Sequence, residues 1–322
     1  MTRYARQISV ASFGTTSQAI LANASVLVVG AGGLGAPVLS YLAGAGIGRI
    51  RLIDGDRVSL SNLHRQTLFT EIDIGKPKAT AAAERLSYMN SEIIIEPFRE
   101  ALTPETISDH AAGCSVLVDC ADNFAVSYMM SDFARINKFA FVSASVVDTS
   151  GYSAGFCAGH PSLRALFPDL PERLTNCLAD GVLGPVVGVV GSLQAQMVVD
   201  ILIGTEQSPL GQLIQFDSIG YRFSSFRFDN APEPERYFSF IGKNMLVPSD
   251  RVIDLRSADE APVIIETAER LVLEKFDAAA VSAYQDRLVF CCQSGFRAWK
   301  AAERCFSHGA DNIALIAVGP PQ

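Results

Sequence analysis

The sequence predicts an α/β protein: a doubly wound, mostly parallel, Rossmann-like sheet with antiparallel additions, followed by a second, smaller α/β domain. Apolar, β-branched runs alternate with helical patterns through the first half of the chain, which is typical of a parallel sheet covered on both faces. The 322 residues also exceed the ~250–300 at which a single core stops growing. Length and pattern together therefore favour two domains.

The predicted elements of the first domain follow a regular order. Strand-like runs are SVLVVG, RIRLID, EIIIEPF, VLVDCAD and FAFVSAS, and helical patterns between them are GLGAPVLSYLAGAG, PKATAAAERLSYMN and FAVSYMMSDFARIN. An irregular, proline-bearing stretch then leads to the longest apolar run, Val182–Ile203. Its polar residues, including Gln194 and Asp200, favour a buried core helix over a membrane span. QLIQFDS and YRFSSFRF predict two further strands.

A change of composition marks the boundary between the domains. The charged, proline-containing segment DNAPEPERY predicts a linker, which we place at residues 229–248 between a first domain at 1–228 and a second at 249–322. In the second domain RVIDLRS, RLVFCCQSG and NIALIAV predict strands, and FRAWKAAERCFSHG predicts a helix.

Charge and cysteine content exclude several classes of partner. The 26 basic and 34 acidic residues give a net charge of -8, which favours neither nucleic acid nor an anionic membrane as a partner. The first residues contain two arginines and no continuous apolar segment, so we expect no signal peptide or membrane anchor. Seven cysteines without a paired spacing indicate a reducing, cytoplasmic environment.

A glycine-rich loop lies between the first predicted strand and helix. Gly30, Gly32, Gly33 and Gly35 form a G-x-G-x-x-G pattern, in which the glycines allow a tight turn, close approach of a phosphate and close helix–strand packing. Asp54 ends the second strand, at the distance expected for a carboxylate that binds a ribose hydroxyl. These two features alone would also suit a nicotinamide-dependent oxidoreductase.

The polar run after Asp54 favours a triphosphate over a dinucleotide. Asp56, Asn62, Arg65 and Lys78 follow the first two strands, and cations there would neutralise charge during displacement at phosphorus. We therefore expect ATP. A non-catalytic binding module remains an alternative, although such a module would not need this set of residues.

Six motifs in order, RYARQI, GAGGLG, DGDRVSLSNLHRQ, GKPKA, DCADN and GVLGPVVGVVGSLQAQ, resemble the ThiF/MoeB/HesA family over residues 3 to 228. These proteins are bacterial relatives of ubiquitin-activating enzymes. The resemblance implies a homodimeric adenylyltransferase that activates the C-terminal glycine of a small ubiquitin-like sulfur carrier ending in Gly-Gly, using ATP and magnesium and releasing pyrophosphate.

The resemblance also assigns roles to individual residues. It implies that Asp54 holds the ribose, that Asn62, Arg65 and Lys78 hold the phosphates, and that Arg6 reaches the triphosphate of a second copy. It implies Asp122 as the magnesium ligand, with Asn123 of the same DCADN motif in the cofactor-binding set. Taken singly, surface ion pairs would be the better interpretation for Arg65 and Lys78, and helix capping for Asp122.

The family's structural zinc site is expected to be missing. Relatives commonly hold zinc through two C-x-x-C pairs, but Ser162 and Ala165 occupy the positions of the first pair. Cys157 and His160 form a C-x-x-H pair without a second pair, so burial is the better interpretation. Cys177 matches the crossover-loop cysteine that links covalently to the carrier or a sulfur donor in some members; a simple loop cysteine is an equal alternative.

The second domain contains a possible sulfur site. Residues 292–297, Cys-Gln-Ser-Gly-Phe-Arg, resemble a rhodanese active-site loop between a strand and a helix, where N–H groups and Arg297 would stabilise a Cys292 thiolate or persulfide. Asp254 and Arg256 match the first strand motif of that fold. Because only 37 residues separate Asp254 from Cys292, the domain is shortened and is either competent or an inactive remnant. We favour competence, and expect Cys291, like Cys114 and Cys305, to be packing residues.

The leading hypothesis joins the two sites. The carrier's carboxylate is adenylated, and a Cys292 persulfide, loaded by a donor such as a cysteine desulfurase, attacks to give a thiocarboxylate, with Cys177 resolving the acyl disulfide. The alternative is adenylation of another carboxylate beside an inactive rhodanese remnant. Thiamine, molybdopterin, tRNA thiolation, cysteine and a specialised metabolite all remain open as destinations of the sulfur.

Overall fold

The computed structural model describes residues 3–170, 181–260, 265 and 267–319, with only the backbone of Glu274. The chain divides into two compact units. The first comprises Met1–Leu102, Ile107–Asp122 and Met130–Glu233, and the second comprises Thr103–Thr106, Asn123–Met129 and Pro234–Gln322. Two short segments of the N-terminal sequence therefore belong to the second unit.

The first unit is built on an eight-stranded sheet with the order β3-β2-β1-β4-β5-β6-β7-β8. Its strands are β1 (Ser25–Val29), β2 (Arg49–Ile53), β3 (Ile94–Phe98), β4 (Val116–Asp119), β5 (Ala140–Val147), β6 (Ser150–Cys157), β7 (Gln212–Asp217) and β8 (Arg222–Arg227). The first five pair in parallel and the last three are antiparallel. The predicted fold class, a mostly parallel sheet with antiparallel additions, is confirmed.

Helices precede and separate these strands along the chain. They are α1 (Ala5–Ile8), α2 (Gly14–Asn23), α3 (Gly35–Ala45), α4 (Lys78–Met89), α5 (Ile107–Ala111), α6 (Phe124–Asn137), α7 (Leu163–Leu166) and α8 (Gly184–Ile203). Helix α6 begins in the second unit and continues into the first.

Helix α8 is the long apolar helix expected from the sequence, and it begins two residues later than the apolar run. By length and composition it could cross a membrane, but it packs against β5, β6 and α3, and its buried Gln194 donates to the carbonyl oxygen of Asp119 at 2.6 Å. Close packing on α3 depends on Gly191, where a Cβ atom would lie 2.5 Å from Pro37 Cγ. These contacts make α8 a core helix of the first unit.

The second unit contains a five-stranded sheet with the order β11-β10-β12-β13-β9, in which all pairs are parallel. The strands are β9 (Ser239–Phe240), β10 (Arg251–Asp254), β11 (Glu269–Arg270), β12 (Leu288–Cys292) and β13 (Ile313–Ala317), and the helices are α9 (Ala278–Ser282) and α10 (Phe296–Ser307). Strand β9 lies within the segment expected to be a linker. It forms a strand because Phe240 pairs with Leu315 of β13 at the sheet edge. A second, smaller α/β unit is thus confirmed.

Candidate functional site

The glycine loop of the first unit is shaped by two contacts that exclude a side chain. Gly30 has a φ of +98°, and a Cβ atom there would lie 2.6 Å from the carbonyl oxygen of Cys120, at the end of β4. At Gly35 a Cβ atom would lie 2.1 Å from the carbonyl oxygen of Gly30 itself. The loop therefore closes tightly between β1 and α3, as the pattern predicted.

Gly32, in the middle of the loop, is open, whereas at Gly33 a Cβ atom would lie 3.0 Å from Val187 Cγ1. A Cβ atom on Gly32 would meet nothing closer than Gln66 Nε2 at 3.7 Å. Gly33 lies against the aliphatic stem of Arg65, whose Cγ and Cδ would each be 3.6 Å from an added Cβ. A ligand phosphate can thus approach the backbone at Gly32 while the guanidinium of Arg65 lies beside the loop.

Gln66 is a residue of this site that the sequence analysis missed. Its side chain is only 3% exposed, and among the described residues none donates a hydrogen bond to its Oε1 atom. Buried polar groups without partners are rare in folded proteins, and a bound ligand is one explanation for them. Its position beside Arg65 in the SNLHRQ motif was the available signal.

Asp54 connects the glycine loop to the backbone that follows β2. One carboxylate oxygen accepts the N–H of Ala31 at 2.7 Å, and the other accepts the N–H of Asp56 at 2.8 Å. Burial raises the pKa of Asp54 above its ordinary value, against the opposing effects of the Lys78 charge and of both N–H groups. The carboxylate keeps lone pairs for a further donor, so its binding of a ribose stays a prediction.

Lys78 is a buried cation whose acidic partner is exposed. Its side chain is 8% exposed, and its Nζ atom lies 2.9 Å from Asp56 Oδ2, whose side chain is 70% exposed. The backbone N–H of Lys78 also donates to the carbonyl oxygen of Asp56 at 2.8 Å. Because Asp56 is already solvated, an incoming phosphate could take its place on Lys78 at little desolvation cost.

Asn62 and Arg65 lie on one turn after β2. Asn62 Oδ1 accepts the N–H of Ser59 at 3.2 Å, and the N–H of Arg65 donates to the carbonyl oxygen of Asn62 at 3.1 Å. Arg65 Nη1 donates to the carbonyl oxygen of Ser61 and contacts His64 Nε2 at 2.7 Å. Arg65 forms no ion pair with the described residues, and its binding of phosphate stays a prediction.

A buried polar network at the end of β4 supports the loop. Asp119 accepts the N–H of Ala121 at 3.1 Å and the hydroxyl of Ser143 at 2.8 Å. The thiol of Cys120 donates to Gln194 Oε1 at 3.5 Å. The sequence analysis singled out Asp122 in DCADN and not Asp119, which is fully buried and therefore fixes the backbone below Gly30.

For four other predicted residues the structure does not test the predicted role. Asp122 and Arg6 are both exposed, and Asn123 caps helix α6, its Oδ1 accepting the N–H of Ala125 at 3.0 Å. Cys177 lies outside the described residues. The magnesium, triphosphate and carrier roles of these residues therefore stay predictions.

In the second unit, Cys292 ends β12 and its sulfur faces the start of α10. Cys292 Sγ accepts the N–H of Gly295 at 3.1 Å and that of Ala298 at 3.5 Å. Gly295 has a φ of +89°, which turns its N–H toward the sulfur. The sulfur thus lies at the N-terminus of α10 among backbone donors, and its role in sulfur transfer stays a prediction.

Arg297 is held beside this sulfur by a residue that the sequence analysis did not identify. Both of its terminal nitrogens donate to the Glu260 carboxylate, and Nη1 also donates to the carbonyl oxygen of Leu255 at 3.2 Å. The pKa of Arg297 is raised, first by Glu260 and also by Cys292. The same interaction lowers the pKa of Glu260.

Three further residues of the second unit, Asp254, Arg256 and Cys291, are buried. Asp254 and Arg256 form a buried pair with two bonds, at 2.9 and 2.7 Å. Cys291 is fully buried in the apolar core, and burial raises the pKa of its thiol to about 12. The expected packing roles of Cys291, Cys114 and Cys305 agree with their burial.

The segment that carries zinc ligands in relatives is held here by polar contacts. The hydroxyl and N–H of Ser162 both donate to Glu233, at 2.6 and 2.7 Å, and Arg164 binds Asp132 through two bonds. His160 contacts Asp229 at 3.1 Å. Burial raises the pKa of the Cys157 thiol to about 12. The prediction of no zinc stays a prediction.

A family model described as the ThiF family matches residues 4–237. The chain belongs to the ThiF family. The zebrafish (Danio rerio) protein named "Adenylyltransferase and sulfurtransferase MOCS3" is 42% identical to this ThiF-family chain over 228 residues, 70% of this chain and 50% of the relative. The mosquito (Anopheles gambiae) protein of the same name is 36% identical over 293 residues, 89% of this chain and 66% of the relative.

An alignment that covers 89% of the chain cannot fit within residues 4–237, so it extends into the second unit. This ThiF-family chain spans about half to two thirds of the length of these curated relatives. Among solved structures, Escherichia coli MccB with ATP is 25% identical, with a TM-score of 0.64, over 72% of this chain and 73% of that one.

Proposed function

We propose that this ThiF-family chain uses ATP to adenylate the C-terminal glycine of a small ubiquitin-like sulfur carrier and then transfers sulfur to it from a persulfide on Cys292. The observation that carries the proposal is the presence, in one chain, of an open phosphate loop beside Arg65 and a cysteine whose sulfur accepts two N–H groups. The relatives named adenylyltransferase and sulfurtransferase support the same pair of activities.

The first step joins two anions, so its catalysis is mainly electrostatic. A carboxylate oxygen of the carrier attacks the α-phosphorus of ATP, the bond from that phosphorus to the bridging oxygen breaks, and pyrophosphate leaves. The open backbone at Gly32 would receive the phosphates, and Arg65 and Lys78 would offset their charge. Asn62 would bind phosphate through its amide, and Asp54 would fix the ribose.

Magnesium and a second copy of the chain would complete this charge set. Asp122 is an exposed carboxylate after β4, and carboxylate oxygens suit magnesium. Bound magnesium supplies a positive charge that offsets the charge developing on the pyrophosphate. Arg6, exposed on α1, would add a cation from the second copy of a homodimer, and Asn123 would complete the nucleotide-binding set.

In the second step the terminal sulfur of the Cys292 persulfide attacks the carbonyl carbon of the acyl-adenylate. The bond from that carbon to the AMP oxygen breaks, AMP leaves, and an acyl disulfide links the carrier to Cys292. A thiolate, for which Cys177 is the candidate, then attacks Cys292 Sγ, and the carrier leaves as a thiocarboxylate. The resulting disulfide needs two electrons from an external thiol, and Cys292 is reloaded by a persulfide donor such as a cysteine desulfurase.

A cytoplasmic location fits this reaction, because ATP and reduced thiols are both present there. The second candidate is adenylation of a different carboxylate, beside a second unit that is inactive in sulfur transfer. The structural likeness to MccB, whose solved structures include one with MccA, favours keeping this alternative. The acceptor that supports pyrophosphate exchange separates the two candidates.

The test is exchange of labelled pyrophosphate into ATP with magnesium, with and without a ubiquitin-like carrier ending in Gly-Gly. We expect carrier-dependent exchange that Asp122→Ala abolishes, and thiocarboxylate formation, given a persulfide donor, that Cys292→Ala abolishes. Cys305→Ala is the matched control for the cysteine. ATP binding without exchange on any carrier would favour another acceptor, and failure to bind ATP would refute adenylation.

A further inference from the structure

The loop that holds Cys292 packs against a segment from the N-terminal part of the sequence. Asn123–Met129, the start of helix α6, belongs to the second unit together with residues 234–322. We call this segment the α6 cover. Cys292 itself is 1% exposed. The sulfur that the proposed reaction needs is therefore closed off in this conformation.

The α6 cover lies directly on the loop that holds the sulfur. A Cβ atom on Gly295 would be 3.4 Å from Ala125 Cβ and 2.8 Å from a ring carbon of Phe240. Gly295 is the residue whose N–H binds Cys292 Sγ at 3.1 Å. Ala125 is 3% exposed and Phe240 is 8% exposed. The α6 cover thus packs on the residue whose N–H binds the sulfur.

Aromatic contacts hold the α6 cover in place. Phe124 packs edge-on against Phe240 with ring centroids 6.1 Å apart, and Tyr128 packs on Trp299 of α10 at 5.4 Å. Asn123 supports the first turn through its bond to the N–H of Ala125. Contacts of this size are individually modest, which suits a segment that opens locally while the sheet stays folded.

We propose that the α6 cover is a lid, and that it must lift before Cys292 can exchange sulfur. When it lifts, the Cys292 thiolate attacks the terminal sulfur of a persulfide donor, the donor's S–S bond breaks, and the donor leaves as a thiolate. The lid deepens the proposed sulfur transfer, but the accessibility of the thiol can be measured whether or not the chain transfers sulfur.

The test is the rate of alkylation of each cysteine by iodoacetamide in the full-length protein, resolved by peptide mass spectrometry. We expect Cys292 of the wild type to react at least about tenfold more slowly than glutathione. Tyr128→Ala, which removes the ring contact with Trp299, should accelerate Cys292 about tenfold. Phe133→Ala is the matched control, because Phe133 lies on the same helix in the first unit and stacks on Phe139.

Cys291 and Cys305 report on unfolding, because both are fully buried in the same unit. The proposal requires them to stay unlabelled in Tyr128→Ala while Cys292 reacts. It is overturned if wild-type Cys292 reacts as fast as glutathione, if Tyr128→Ala leaves its rate unchanged, or if Phe133→Ala accelerates it equally. Simultaneous labelling of all three cysteines would also overturn it, because exposure would then follow unfolding of the whole unit.

Discussion

The same added methyl group should have different effects at two glycines of the phosphate loop, destabilising the fold at Gly35 and weakening ATP binding at Gly32. In Gly35→Ala the new Cβ would lie 2.1 Å from the carbonyl oxygen of Gly30, so the two must separate by about 1 Å or more. Overpacking of this kind typically costs about 1–3 kcal/mol of unfolding free energy. In Gly32→Ala the nearest atom is 3.7 Å away, so the fold should tolerate the methyl group.

The affinity for ATP, in contrast, should fall in Gly32→Ala although its fold is intact. The methyl group of Gly32→Ala occupies the space through which a phosphate reaches the backbone, and loss of one N–H bond to a charged group costs about 1.5–3 kcal/mol. That corresponds to roughly a 10- to 150-fold weaker Kd for ATP. Urea denaturation and calorimetric titration with ATP and magnesium would measure both quantities.

Gly44→Ala is the control for these two variants, because Gly44 lies exposed on α3 with no atom within 4 Å of an added Cβ. It should raise stability by about 0.5–1 kcal/mol and leave ATP affinity unchanged. The reasoning fails if Gly32→Ala binds ATP within about twofold of the wild type, or if it destabilises the fold as much as Gly35→Ala.

Three further predictions concern charge. Lys78→Met should lower pyrophosphate exchange at least about 100-fold, because it removes a buried cation beside the phosphate loop; an unchanged exchange rate would contradict this. Arg297→Ala should slow thiocyanate formation from thiosulfate and cyanide at least about tenfold, and Glu260→Gln should slow it less. Equal turnover in the wild type and both variants would show that Arg297 takes no part in the mechanism. The pKa of Cys157, raised to about 12, favours the neutral thiol in the folded state, so the stability that it contributes is full below about pH 9 and is lost as pH rises toward 12. Cys157→Ala should therefore flatten the alkaline fall in stability measured by urea denaturation, and an identical pH profile would refute this assignment.

The elements that the sequence predicted are those whose signals are local. The glycine loop, Asp54 and helix α3 follow one another within about 30 residues, and their spacing alone predicts a strand, a turn and a helix. The alternation of apolar runs likewise predicted the parallel sheet. The buried loop cysteine at the start of a helix was recognised for the same reason, since Cys292, Gly295 and Arg297 are neighbours in the chain.

The features that the sequence did not predict depend on contacts between distant residues. Glu260 binds Arg297 across 37 positions, and nothing near either residue indicates the pairing. Ser239–Phe240 was placed in a linker because two residues are too few to form a periodic pattern; their strand exists through pairing with β13. Asn123–Met129 looked like an ordinary helix start, since an amphipathic pattern shows that a face is buried but not which partner buries it.

The contact between Tyr128 and Trp299 joins residues 171 positions apart, and this separation has a consequence during synthesis on the ribosome. At about 5–20 residues per second, the first turns of α6 emerge roughly 10–30 s before their partners do. Through that interval Phe124, Ala125 and Tyr128 have no apolar surface to pack on within the second unit. A nascent chain of this protein should therefore be a substrate for chaperones, and transplanting residues 234–322 alone onto another protein should yield an incomplete, aggregation-prone domain.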